Sequence, residues 1–172
     1  MAGTYEKIAT ETLSSTSSTI TFSTISQNYT DLVIIGHTQF GSASGVKLRF
    51  NSDTGANYAW INFIAQATST TAGRGTSTTS LYNNFVWGDA TASNNYTPYI
   101  INIMSYSNTT THKSVLWQYG SGANIQGTNS EVGFIKGQWR NTNAITSIEF
   151  SPFNATTFSN GTSFTLYGIK AA

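Results

Sequence analysis

Two histidines, seven carboxylates and no cysteine are the whole inventory from which this 172-residue chain could build a reaction centre. His37 and His112 are the candidate bases for a hydroxyl nucleophile. No Gly-x-Ser-x-Gly elbow surrounds a serine, and with 22 Ser and 28 Thr some hydroxyls will lie near a histidine by chance. Glycoside hydrolysis needs two carboxyl groups at a fixed separation. Asp89, Glu131 and Glu149 offer the material, with no motif to pair them. The missing cysteines remove thiol catalysis, disulfides and thiolate metal sites. Asn51-Ser-Asp53-Thr-Gly55 faintly resembles a calcium loop built from oxygen ligands, and it reads equally as a glycine-terminated turn. There is no His-x-Glu pair and no Gly-rich phosphate loop. The chain is therefore expected to be no enzyme and to carry no metal or cofactor.

Charge narrows the partners. Charged residues make up 9% of the chain and the net charge is +1. Eight Lys and Arg give no electrostatic footprint for nucleic acid and no polybasic segment for an anionic membrane. No apolar run approaches the ~20 residues that span a bilayer, so no membrane insertion is expected. Five Asn-x-Ser/Thr sequons occur, about the number that 16 Asn in so Ser/Thr-rich a chain produce by chance. The opening Met-Ala-Gly-Thr-Tyr-Glu-Lys has no apolar core of a secretory signal, which points to assembly in a cytoplasm.

The aromatics remain as candidates for recognition. Trp60, Trp87, Trp117 and Trp139 lie in strand-like segments with several Tyr nearby. Such residues fill a sheet core first, a subunit interface second and a sugar-stacking surface third. Residues 68–80 are a run of Ser, Thr and Gly with Arg74 as the single charge. This stretch reads as a long surface loop, or as an arm ordered by a neighbouring subunit. Candidate interface or glycan-contacting residues are thus Trp60, Trp87, Trp117, Trp139 and Arg74.

The elements that must position these residues are strands. Thr, Tyr, Phe, Val, Ile and Trp are abundant, good helix formers are scarce, and 15 Gly with 16 Asn supply turns. Period-2 alternation recurs at 4–12, 18–24, 31–39, 45–51, 57–67, 81–87, 98–106, 113–119, 131–139, 144–151 and 162–170. Val46, Leu48 and Phe50 should face inward with Lys47 and Arg49 outward. Leu32 to Ile35, and Trp60, Ile61, Phe63 and Ile64, are apolar on both sides and suggest doubly covered strands. About eleven strands without intervening helices predict an all-β antiparallel sandwich, jelly-roll-like, as one domain over 1–172. Both termini read as strands, lying side by side.

The ends of the chain carry a resemblance. Thr4-Tyr-Glu-Lys-Ile-Ala-Thr-Glu-Thr-Leu13, then Ile20-Thr-Phe22 and Gln27-Asn-Tyr-Thr-Asp-Leu-Val33, resemble the start of small β-rich virion proteins of tailed bacteriophages, those of cyanobacterial and other aquatic phages most. Thr162-Ser-Phe-Thr-Leu-Tyr-Gly-Ile-Lys170 is similar to the last strand of that group. The resemblance covers about a quarter of the chain. It implies a non-enzymatic structural protein of the virion, capsid decoration first and a tail fibre or receptor-binding tip second. The partners it implies are further copies of the chain (a trimer first), the major capsid protein or tail proteins, and a host surface glycan in the second reading.

Overall fold

The computed structural model describes residues 5–42, 44–66, 69–83, 96–121 and 130–170. In these the alternating sequence becomes twelve strands and no helix. They are β1 (Tyr5–Thr12), β2 (Ile20–Phe22), β3 (Asp31–Thr38), β4 (Val46–Phe50), β5 (Tyr58–Gln66) and β6 (Ser69–Thr78). The second half holds β7 (Leu81–Tyr82), β8 (Thr97–Met104), β9 (Lys113–Ser121), β10 (Glu131–Trp139), β11 (Ile148–Pro152) and β12 (Ser163–Ile169). Every pairing is antiparallel, and there are two sheets. Eight strands run in the order β1-β12-β3-β8-β9-β10-β5-β6, and four in the order β2-β11-β4-β7. The all-β sandwich is as the alternation predicts.

Both sheets contribute to one hydrophobic cluster. From the small sheet, Ile20, Phe22, Val46, Leu48, Phe50, Ile148 and Phe150 point inward, as their period-2 spacing requires. Lys47, Arg49 and Glu149 alternate outward, and Arg49 and Glu149 form an ion pair at 3.6 Å. From the large sheet, Leu32, Ile34, Ile101, Ile103, Phe164 and Leu166 close the cluster from the other side. The first and last strands pair with each other, Tyr5 opposite Ile169 and Thr12 opposite Ser163.

The turns are fixed by specific side chains. Asn51 and Ser52 both adopt positive φ, 51° and 54°, between β4 and β5. With the Asp53 amide donating to the Phe50 carbonyl at 2.9 Å, this is a tight four-residue turn that carries the chain from the small sheet toward the large one. Asn51 also accepts from the Thr146 amide at 2.8 Å and donates to the Ala144 carbonyl at 2.8 Å, tying this turn to the segment before β11. Lys113 is fully buried; its ammonium donates to the carbonyls of Asn108, Thr111 and Thr142 and clamps two connections together.

Three expectations change. The Ser/Thr run at 68–80 is no loop within its described part, because Ser69–Thr78 forms the edge strand β6 on β5. An edge strand exposed along most of its length needs no apolar face, so the usual sequence signal is absent. Second, β5 is not buried on both sides: Trp60 and Asn62 face in, while Ile61 and Phe63 face out and are exposed. Likewise in β3, Ile35 is exposed although Leu32, Val33 and Ile34 are buried. Third, of the strand expected over 81–87 Leu81–Tyr82 is strand, Asn83 already lies beyond it, and 84–87 lie outside the described residues.

Candidate functional site

Directly paired residues of adjacent strands share a face, so the registers assemble a surface row by row. Ile35 lies opposite Ile100, Ile100 opposite Gln118, Gln118 opposite Phe134, and Phe134 opposite Phe63. This row crosses five strands on the outer side of the large sheet. The next row runs Asn102, Leu116, Lys136, Ile61 and Arg74. On the other flank Val132 sits between Gly120 and Ala65. The apolar members are wide open: Ile61 is 57% exposed, Phe134 51%, Phe63 50% and Val132 49%. Phe134 and Phe63 stand side by side at the centre.

A shallow depression of about 210 Å³ opens in this face. Pro98, Ile100, Val132 and Phe134 line it, and Gln118 brings the one outward polar side chain. The charges of these rows are Lys136 within the patch and Arg74 at its rim. The Lys136 ammonium is folded back onto Ser114 Oγ and the Gly137 carbonyl, both at 3.0 Å. Burial of that ammonium lowers its pKa. The surface is therefore apolar, nearly uncharged and close to flat, which suits contact with another apolar surface and offers nothing for acid–base chemistry.

The three described tryptophans are not part of this surface. Trp117 and Trp139 are 1% exposed and Trp60 7%, so all three belong to the core and not to an interface or a sugar platform. Their strands place them on the inner face, whose parity is set by register. Trp139 donates its indole N–H to Asp53 Oδ2 at 2.7 Å. Trp60 lies flat across β6, where a Cβ on Gly75 would come within 2.5 Å of its Nε1. The two glycines of the Ser/Thr run thus give space to core side chains of β5. Trp87 lies outside the described residues. Arg74 is exposed on β6, at the rim of the apolar face.

The candidate acids and bases among the described residues are dispersed. Glu149 faces out of the small sheet beside Arg49, whereas Glu131 is buried on the inner side of the large one. Asp89 lies outside the described residues. His37 meets the Gly161 carbonyl through Nε2 at 3.1 Å and packs edge-on against Tyr96, and His112 is exposed. Asp53 has its carboxylate occupied by Trp139, Asn57 and the Gly55 amide, which makes Asn51–Gly55 a turn. Among the described residues no three His, Asp or Glu side chains converge as metal ligands would.

One buried polar cluster was not foreseen. Glu131 accepts from Gln66 Nε2 at 2.8 Å through one oxygen, and its other oxygen has no partner. Burial raises its pKa, against the lowering effect of Gln66 and Tyr119. The Tyr119 hydroxyl beside it is also without a geometric hydrogen bond; its pKa is raised by burial and by the Glu131 charge. Tyr119 fits only because residue 133 is glycine, where a Cβ would sit 2.3 Å from its ring. Only the parity of Glu131 in a strictly alternating strand could have signalled this. No protein-family model matches the chain, and no curated protein matches it significantly.

Proposed function

We propose that this chain is a non-enzymatic structural protein of a tailed bacteriophage particle, a capsid decoration protein that assembles in several copies on the virion. The observation that carries the assembly half of this reading is the broad apolar outer face of the large sheet. Soluble monomers rarely leave such a surface uncovered. The phage half rests on the motifs at the two ends of the chain. The first and last of those motifs fall on β1 and β12, which are paired neighbours in the sheet. A dispersed set of acids and bases fits a protein that binds and does not catalyse. A low net charge lets many copies pack without mutual repulsion.

The test is copy number in purified virions of the phage that encodes the chain, measured by quantitative proteomics. Hundreds of copies per particle are expected for a capsid-covering protein. A few to a few dozen would move the protein to the tail or a vertex, as a fibre or receptor-binding tip. Absence from the virion would overturn the reading.

A further inference from the structure

We propose that the outer face of the eight-stranded sheet is the surface through which two copies of this chain bind each other, sheet against sheet. The inference rests on the self-association in the reading above and not on its phage setting. An antiparallel sheet with one solvated face alternates apolar inside and polar outside. The small sheet obeys that rule, with Thr21, Lys47, Arg49, Glu149 and Ser151 outward. The large sheet breaks it in five consecutive strands.

Area supports a protein-sized partner. The seven side chains of the patch, roughly half exposed, each offer about 100 Å². The face thus presents on the order of 700 Å², close to the ~800 Å² that each partner gives to an ordinary specific interface. Charge selects the partner. No carboxylate lies within the patch, its ammonium is held by Ser114 and Gly137, and the Arg74 guanidinium stands at the rim, outside the apolar centre. An acidic or basic partner would desolvate its charges against Phe63 and Phe134 without compensation. The complement is a flat, neutral, apolar surface. Among the described residues the chain shows one such surface, this face itself, which is the condition for a contact between identical patches.

The decisive measurement is the solution mass by light scattering across micromolar concentrations. The wild-type chain is expected at twice its 18.5 kDa mass, or at an even multiple where such pairs associate further. Phe63→Asp and Phe134→Asp should bring the mass to that of one chain, by weakening association about a hundredfold, with an unchanged far-UV circular dichroism spectrum. Thr21→Asp, on the small sheet, should leave the assembly intact. Because the chain has no cysteine, Gln118→Cys supplies a second readout without an apolar-to-charged change. A nitroxide at this position should broaden by dipolar contact with its copy, and one at Ser151→Cys should not. A wild-type chain that stays single overturns self-association altogether, whatever its copy number in virions. An oligomer untouched by the Phe63 and Phe134 changes, with no broadening at Gln118→Cys, overturns this face while leaving self-association standing.

Discussion

The rings of Phe150 and Phe164 lie parallel across the space between the two sheets, 4.2 Å apart at their centroids and within 4° of coplanar orientation. Phe150 belongs to β11 of the small sheet and Phe164 to β12 of the large one, and both are fully buried. The pair fastens the sheets near the edge where the first and last strands meet. Phe150→Ala should cost about 3–5 kcal/mol, the usual loss for a buried aromatic. Phe150→Leu, which conserves most of the volume, should cost about 1 kcal/mol. Urea denaturation with an unchanged slope checks both. A double-mutant cycle with Phe164→Leu should return about 0.5–1.5 kcal/mol of coupling.

The contact between Asp53 and Trp139 makes a pH-dependent prediction. Burial works to raise the Asp53 pKa, but hydrogen bonds from Trp139, Asn57 and the Gly55 amide outweigh it, and the net shift is downward. A carboxyl lowered on folding adds stability above its unfolded value of about 4. That stability is lost as pH falls through the folded value. Asp53→Ala leaves the buried Trp139 indole N–H without its acceptor and should cost about 1–3 kcal/mol at neutral pH. The gap between wild type and variant, read from urea midpoints, should narrow once the pH drops below the Asp53 pKa.

Glu131 should behave oppositely. Burial raises its pKa, so the folded chain binds the proton more tightly than the unfolded chain. Its contribution is best at low pH and is lost as pH rises through the folded value. Glu131→Gln keeps an acceptor for Gln66 and removes the buried charge. The variant should match wild type at acid pH and exceed it by about 1 kcal/mol at alkaline pH. Thermal melts across that range test the sign.

Gly75 is the place where the edge strand yields to the core. A methyl group there would press on the Trp60 indole at 2.5 Å. Gly75→Ala should destabilise the fold by about 1–3 kcal/mol and shift the tryptophan emission. Thr76→Ala, next in the strand and exposed, should do neither.

What the sequence disclosed follows from periodicity. The small sheet was legible in full outline, because Val46, Leu48 and Phe50 alternate with Lys47 and Arg49, and one face is plainly polar. The large sheet was harder. Ile61 and Phe63 are as apolar as Trp60, so alternation alone could not say which set faced the core. The natural inference is a strand covered on both sides, and among the described residues no second layer covers it. The same ambiguity hid the roles of Trp60, Trp117 and Trp139, since a one-residue shift of register exchanges inside for outside. Ser69–Thr78 gave no strand signal because the strand borrows its pairing from β5 and buries almost no side chain of its own. Arg74 is exposed on an edge strand, where the sequence suggested a surface loop or an arm ordered by a neighbouring subunit.

The pairing of β1 with β12 also orders events during synthesis. β1 has one neighbour in the sheet, and Thr10 meets Thr165 hydroxyl to hydroxyl at 3.0 Å across 155 positions of sequence. At the usual pace of a ribosome that separation takes roughly ten to thirty seconds. β1 therefore waits, unpaired, for β12. The nascent chain can form its central hairpins on the ribosome, but the edge of the large sheet closes only after β12 has emerged.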